Sequence, residues 1–192
     1  MIDFVEHWLG YAWMALLVVW LVAAVGSKRT VQRQAGGSRL LHIGLMFLGI
    51  ALIFNVHKWF DGGWLATRVI PRNQPFVLGG AILTLAGLFF CIWARLALGS
   101  NWSGTVTIKQ NHELIQRGPY KIVRHPIYTG FLFALLGTAL VYGAIRGFVG
   151  LLVCGLALWI KSRGEEQFMV QQFGEQYIAY RREVRALIPF IL

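Results

Sequence analysis

The chain has 192 residues, of which 57% are hydrophobic and 14% charged, with a mean hydropathy of +0.59. That composition excludes an ordinary soluble domain, and the length excludes several domains; together they describe one integral membrane domain over residues 1–192. The 18 Lys and Arg against 8 Asp and Glu, a net +10, lie between and after apolar runs and form no continuous stripe. They point to lipid headgroups and membrane orientation, and no nucleic-acid partner is expected.

Taken in order, the run from Trp8 to Val25 meets the roughly 20-residue requirement for a first membrane span. Asp3 and Glu6 stand where a cleavable leader carries basic residues, so this helix is expected to stay. Ser27 to Arg39 is a basic loop, and Leu40 to Trp59 is a second span. After a short loop containing Pro71, Phe76 to Leu98 is a third. These make an N-terminal part over 1–98, and 99–192 forms a second half with different chemistry. In that half Thr105 to Lys109 alternates briefly, and Ile127 to Val141 and Phe148 to Ile160 are short apolar runs that read as a helical hairpin. Lys161 to Leu192 is polar with spaced aromatics, an amphipathic helix with a break expected at Gly174. The fold class is therefore all-α, with five transmembrane helices and a cytoplasmic C-terminal helix.

Charge sets the expected orientation. With the N-terminus outside, 14 of the 18 Lys and Arg fall on cytoplasmic segments, against three outside and Lys58 at a span end. Cys91 and Cys154 each sit inside an apolar run, which suggests neither a disulfide framework nor a metal site.

Chemistry-bearing residues crowd into Gly118 to Gly130, Gly-Pro-Tyr-Lys-Ile-Val-Arg-His-Pro-Ile-Tyr-Thr-Gly. Pro119 and Pro126 keep Gly118 and His125 out of regular helix. Tyr120, Lys121, Arg124 and His125 then offer a ring, two fixed cations and a titratable group at the membrane edge. A basic turn touching lipid phosphates would use the same residues. Lys161-Ser-Arg-Gly-Glu-Glu166 is a second such feature, where ionisable groups beside an apolar run are costly unless paired. Taken alone it also reads as a helix start, with Glu165 and Glu166 in a first turn favoured by the helix dipole. Chain direction brings both features to the same membrane face, at the feet of one hairpin. An ammonium could then meet Glu165 while a carboxylate on the same ligand meets Arg124 or His125.

The Gly118–Gly130 stretch, followed past an apolar hairpin by Glu-Glu-Gln-Phe-Met-Val-Gln-Gln-Phe-Gly-Glu-Gln-Tyr-Ile-Ala-Tyr and a terminal Ile-Pro, resembles the isoprenylcysteine carboxyl methyltransferase family. That family is similar here to the phospholipid N-methyltransferases. The resemblance covers about residues 99 to 190. It implies S-adenosylmethionine as methyl donor, with His112, Leu114 and Ile115 along the adenosine and Tyr120 near the cofactor. His125, Pro126 and Tyr128 would surround its amino-acid part and Glu165 would take its ammonium. Lys161 stands where the eukaryotic members have a substrate-contacting arginine, a departure that bears on a prenylcysteine substrate. Arg124, His125 and Glu166 are the candidate catalytic residues, and Lys161 and Arg163 the candidate substrate contacts.

A carboxylate or thiolate acceptor would need positioning and desolvation more than a base, whereas an amine would need one, with His125 or Glu166 as candidate. The absence of a glycine-rich βαβ turn excludes a soluble dinucleotide-type domain and puts any cofactor at the membrane face. The expected partners are membrane lipids and a lipophilic small acceptor. Two other readings remain: a nicotinamide-dependent membrane reductase of the sterol-reductase type, and a non-enzymatic protein whose Arg124, Lys161 and Arg163 bind anionic lipid. Gly130 and Gly137, seven apart on one helix face, leave room for a neighbouring helix or for an acceptor entering sideways from lipid.

Overall fold

The structure is a computed structural model and describes residues 1–25, 30–33, 36–55, 58–99, 107–109 and 114–188. Its helices are α1 (Ile2–Val25), α2 (Gly36–Phe54), α3 (Gln74–Leu98), α4 (Pro126–Tyr142), α5 (Ile145–Phe173) and α6 (Glu175–Glu183). Two short strands, β1 (Thr30–Arg33) and β2 (Thr107–Lys109), pair antiparallel. The Thr107–Lys109 part of the alternating piece is thus a ladder that ties the first interhelical loop to the third, and Thr105 itself lies outside the described residues. Otherwise the body is helical.

Three helices are long and apolar enough to cross a membrane, at Ile2–Ala23, Gln74–Leu98 and Ile145–Phe173, and two shorter apolar ones span Arg39–Phe54 and Pro126–Tyr142. The first helix begins at Ile2, ahead of Trp8, because Asp3, Glu6 and His7 are the only polar residues in a start that Ile2, Phe4 and Val5 otherwise make apolar. The second ends at Phe54 and not at Trp59: Asn55 has a positive φ of 49° and accepts from the Phe60 amide. The third is started by Asn73, whose side chain accepts from the Phe76 amide, with a proline in the first turn.

α5 corrects a larger expectation. It runs unbroken for 29 residues, about 43 Å at 1.5 Å per residue, straight through Lys161–Glu166. The two glutamates therefore sit inside a helix and not at a helix start. Past Ile160 the residues change from apolar to polar, but most remain good helix formers, and only Gly174, at φ 52°, stops the helix. The expected break at Gly174 is observed, and α6 follows it directly.

Small residues set the packing. α3 and α4 cross backbone to backbone: a Cβ on Gly87 would lie 2.5 Å from the Gly130 carbonyl oxygen, and one on Gly137 would meet the Thr84 amide at 2.5 Å and the Gly80 carbonyl closer still. Gly130 and Gly137 thus receive α3, so the sideways opening considered at Gly137 is filled by a helix. α2 meets α5 in the same way through Gly49 and Gly150. Within this tight core Trp13 donates to Thr138 Oγ1 at 3.1 Å, linking α1 to α4.

The two ends of the bundle differ. At one end Arg72 pairs with Asp3 and Glu6, and the Val69 and Ile70 amides bond the Gly143 carbonyl in the α4–α5 turn. At the other end lie the C-terminus of α3, the 118–125 segment and the polar half of α5.

Candidate active site

Pro126 cannot continue a helix backward, so His125 adopts φ −120° and ψ 61° at the N-cap of α4. Upstream, Gly118 at φ 61° opens a 3₁₀ turn over Gly118–Lys121. This irregular strip is held by the chain's end. The Arg124 amide bonds the Arg185 carbonyl at 2.7 Å, and the His125 amide bonds the Ala186 carbonyl at 3.0 Å. Thr129 donates to the Leu187 carbonyl at 2.6 Å, and the Tyr180 hydroxyl to the Tyr120 carbonyl at 2.5 Å. Residues 180 to 187 therefore form one wall of the site.

Arg124 and Glu166 make a buried pair, with Nη2 and Nε of the arginine at 2.6 and 2.9 Å from Oε1 of the glutamate and side chains only 10% and 6% exposed. Nη1 of Arg124 donates to the carbonyls of Arg181 and Val184. Arg181 adds a second cation to Glu166, with Nε 3.5 Å from Oε2. Every nitrogen of Arg124 is thus used within the protein. This pair fastens the segment before α4, α5 and the tail together.

His125 lies between the carboxylates, with Nδ1 3.5 Å from Glu165 Oε2 and Nε2 3.4 Å from Glu166 Oε1. Burial lowers its pKa, but the hydrogen bonds to Glu165 and Glu166 outweigh burial, and the net direction is upward from 6.5. With both ring nitrogens directed at carboxylates, the protonated form of the His125 ring is the favoured one. The two candidate bases, His125 and Glu166, are thus both engaged within the protein in this arrangement.

Glu165 faces the other side. It accepts from the Tyr128 hydroxyl at 2.6 Å, and Lys161, one turn earlier on α5, places Nζ 3.9 Å away. Lys161 also lies 5.2 Å from the Tyr128 ring centroid, and that ring runs parallel to His125, their planes 3° apart. The Glu165 side chain keeps 22% exposure, so an ammonium can approach it. Tyr120 is buried beside this group, with its phenol pKa raised by burial and by the Glu165 charge.

The structure thus brings together Tyr120, Arg124, His125, Pro126, Tyr128, Lys161, Glu165 and Glu166. Leu114 and Ile115 are partly buried in irregular backbone before the 3₁₀ turn, and His112 lies outside the described residues. Arg163 separates from Lys161: two residues apart on a helix, they point to different faces, and Arg163 stacks 4.7 Å over Trp159. Neither Arg181 nor Thr129 stands out as a site residue in the sequence, and Tyr180 does so only as one of the spaced aromatics of the C-terminal helix. Only Tyr177 and Tyr180, three apart, signalled that α6 buries a face.

Residues 76–176 match a family model described as phospholipid methyltransferase. The chain is 38% identical over 104 residues to the protein-S-isoprenylcysteine O-methyltransferase of Schizosaccharomyces pombe, covering 51% of this chain and 43% of that protein. It is 30% identical over 118 residues to the Saccharomyces cerevisiae protein of the same name, covering 58% and 48%. The chain spans about half the length of these curated relatives. Among solved structures it resembles the eukaryotic intramembrane Ras methyltransferase ICMT, with a TM-score of 0.51 and 21% identity over 84% of this chain and 55% of that one. At that identity the likeness concerns the fold.

Proposed function

The chain belongs to the phospholipid methyltransferase family, and from that premise we propose that it is an S-adenosylmethionine-dependent membrane methyltransferase acting on a lipophilic acceptor. The observation that carries the reading is the cluster at the feet of the α4–α5 hairpin. There a partly exposed Glu165 carboxylate stands among Lys161, Tyr128 and the ring of His125.

The donor set suits the cofactor. Its amino-acid end carries an ammonium, for which Glu165 is the partner, and a carboxylate, for which His125 and Lys161 supply positive charge. Tyr120, Leu114 and Ile115 offer apolar and aromatic surface toward adenosine, with His112 as a further candidate. When bound, the cofactor supplies an electrophilic methyl group on sulfonium. The chain's own residues then have three tasks. Arg124, Glu166 and the tail keep His125 in place, Lys161 orients an anionic acceptor, and the apolar hairpin excludes water. Because His125 is engaged with both carboxylates and Glu166 with Arg124, a carboxylate or thiolate acceptor, which needs no base, is favoured over an amine.

The proposed topology has five spans, with α2 and α4 crossing as the shorter members, the N-terminus outside and the site at the cytoplasmic face. The charge asymmetry and the alternation of the two bundle ends support it. The test is twofold. S-adenosylhomocysteine should raise the melting temperature of the detergent-solubilised protein while a nicotinamide should not. Label from methyl-labelled S-adenosylmethionine should enter an acidic or thiol fraction of a lipid extract. Stabilisation by the nicotinamide alone would favour a reductase, and by neither the lipid-binding reading.

A further inference from the structure

One face of α5 carries a feature that the methyl-transfer reading leaves unused. Leu152 and Leu156 are 73% and 51% exposed, and Trp159 and Arg163 continue the same stripe at helical spacing. Directly beyond lies a cleft of about 480 Å³ lined by Arg163, Glu166, Gln167, Val170, Gln171 and Arg181. It opens on the opposite side of α5 from Lys161 and Glu165.

The charge of this cleft is positive. Glu166 is its one carboxylate, and it is already matched by Arg124 at 2.6 Å before Arg181 approaches Oε2 at 3.5 Å. Arg163 packs its guanidinium on Trp159 at 4.7 Å and has no carboxylate within ion-pair distance among the described residues. Two arginines on neighbouring helices thus present donors to one opening, with the amides of Gln167 and Gln171 beside them. The exposed leucine stripe ends at its mouth.

We propose that this cleft binds the phosphate of an anionic phospholipid, held between Arg163 and Arg181, with an acyl chain lying along Leu152, Leu156 and Trp159. The shared chemistry with a free phosphate is the anion, but the contiguous apolar stripe commits the site to a membrane lipid. Bound there, the lipid bridges α5 to α6, and hence to the tail that holds Arg124 and His125. The site goes beyond the proposed methyl transfer and does not depend on it.

The experiment titrates the delipidated, detergent-solubilised full chain with phosphatidylglycerol, phosphatidylcholine, glycerol phosphate or inorganic phosphate and follows melting temperature and lipid retention by native mass spectrometry. Phosphatidylglycerol should stabilise the protein and be retained, whereas the other three should do neither. Arg163→Gln and Arg181→Gln should each weaken phosphatidylglycerol binding about fivefold, as expected for one basic residue near a lipid phosphate. Arg163 is exposed and, among the described residues, its guanidinium packs on the Trp159 ring, so its variant should keep the native helix content by circular dichroism. Equal stabilisation by phosphatidylcholine, equal stabilisation by either free phosphate, or unchanged affinity in Arg163→Gln would each overturn the proposal. S-adenosylhomocysteine binding, measured in parallel on the same samples, separates failure of this site from failure of the methyltransferase reading.

Discussion

Glu165 and Glu166 are adjacent in sequence and identical in chemistry, yet the structure assigns them opposite consequences on neutralisation. In Glu166→Gln the Arg124 guanidinium, 10% exposed, keeps an amide oxygen in place of the carboxylate oxygen of its 2.6 and 2.9 Å bonds but loses the opposite charge, and its other partners are the neutral Arg181 and Val184 carbonyls. Removing one partner of a buried pair typically costs about 3–5 kcal/mol, because the remaining charge stays buried and uncompensated. For a chain of this size that corresponds to a melting-temperature loss of roughly 6–20 °C. In Glu165→Gln the Tyr128 hydroxyl can still donate to the amide oxygen, and Lys161 at 3.9 Å reaches solvent. The unliganded protein should melt within about 3 °C of wild type, since a partly exposed ion pair is worth roughly 1 kcal/mol or less. Affinity for S-adenosylhomocysteine, however, should fall by about ten- to a hundredfold with the loss of one charge-assisted hydrogen bond. Thermal unfolding of both variants in detergent, followed by calorimetric titration, checks the pair. A Glu166→Gln protein as stable as wild type, or a Glu165→Gln protein with unchanged affinity, would refute the division of labour.

Because the His125 pKa is raised in the fold, its charge contributes stability fully below about pH 6.5, its value in the unfolded chain. That contribution is lost as pH rises through the higher folded value. Melting temperature should therefore decline above pH 6.5, and His125→Gln should flatten the decline; an unaltered slope would count against the imidazolium. Thr129→Val removes the bond to the Leu187 carbonyl and should cost about 1 kcal/mol, with faster proteolysis of the C-terminus as the readout. Gly137→Leu should lower thermal stability and both ligand affinities together, because the new side chain meets α3 backbone. A raised Michaelis constant for the acceptor alone would instead revive a sideways entrance there. A cysteine placed within Ser27–Arg39 should resist an impermeant maleimide in intact cells while one within Gly62–Gln74 labels; the reverse pattern would invert the site's proposed cytoplasmic orientation.

Much of this protein is legible in its sequence because a bilayer leaves few choices. Apolar runs long enough to span must be helices, since their backbone groups find no water to bond. Prolines at 119 and 126 break helices for a local reason that no tertiary context removes, so the irregular strip around Arg124 and His125 was visible, and so was the break at Gly174. The co-location of that strip with Lys161–Glu166 followed from chain direction alone. What composition could not reveal is where α5 would stop, because its polar half has good helix propensity and a change from apolar to polar marks a membrane boundary and not a helix end. Likewise Gly130 and Gly137 announced a close approach without naming the partner, and α3 supplied it. The roles of the charged residues were decided by distance: Arg124 and Arg163 look equivalent as cations, but one is consumed by Glu166 and the tail while the other lies on Trp159. Such assignments depend on contacts between residues some 40 to 60 positions apart, such as Arg124 with Glu166 and with Val184, and no local propensity encodes them.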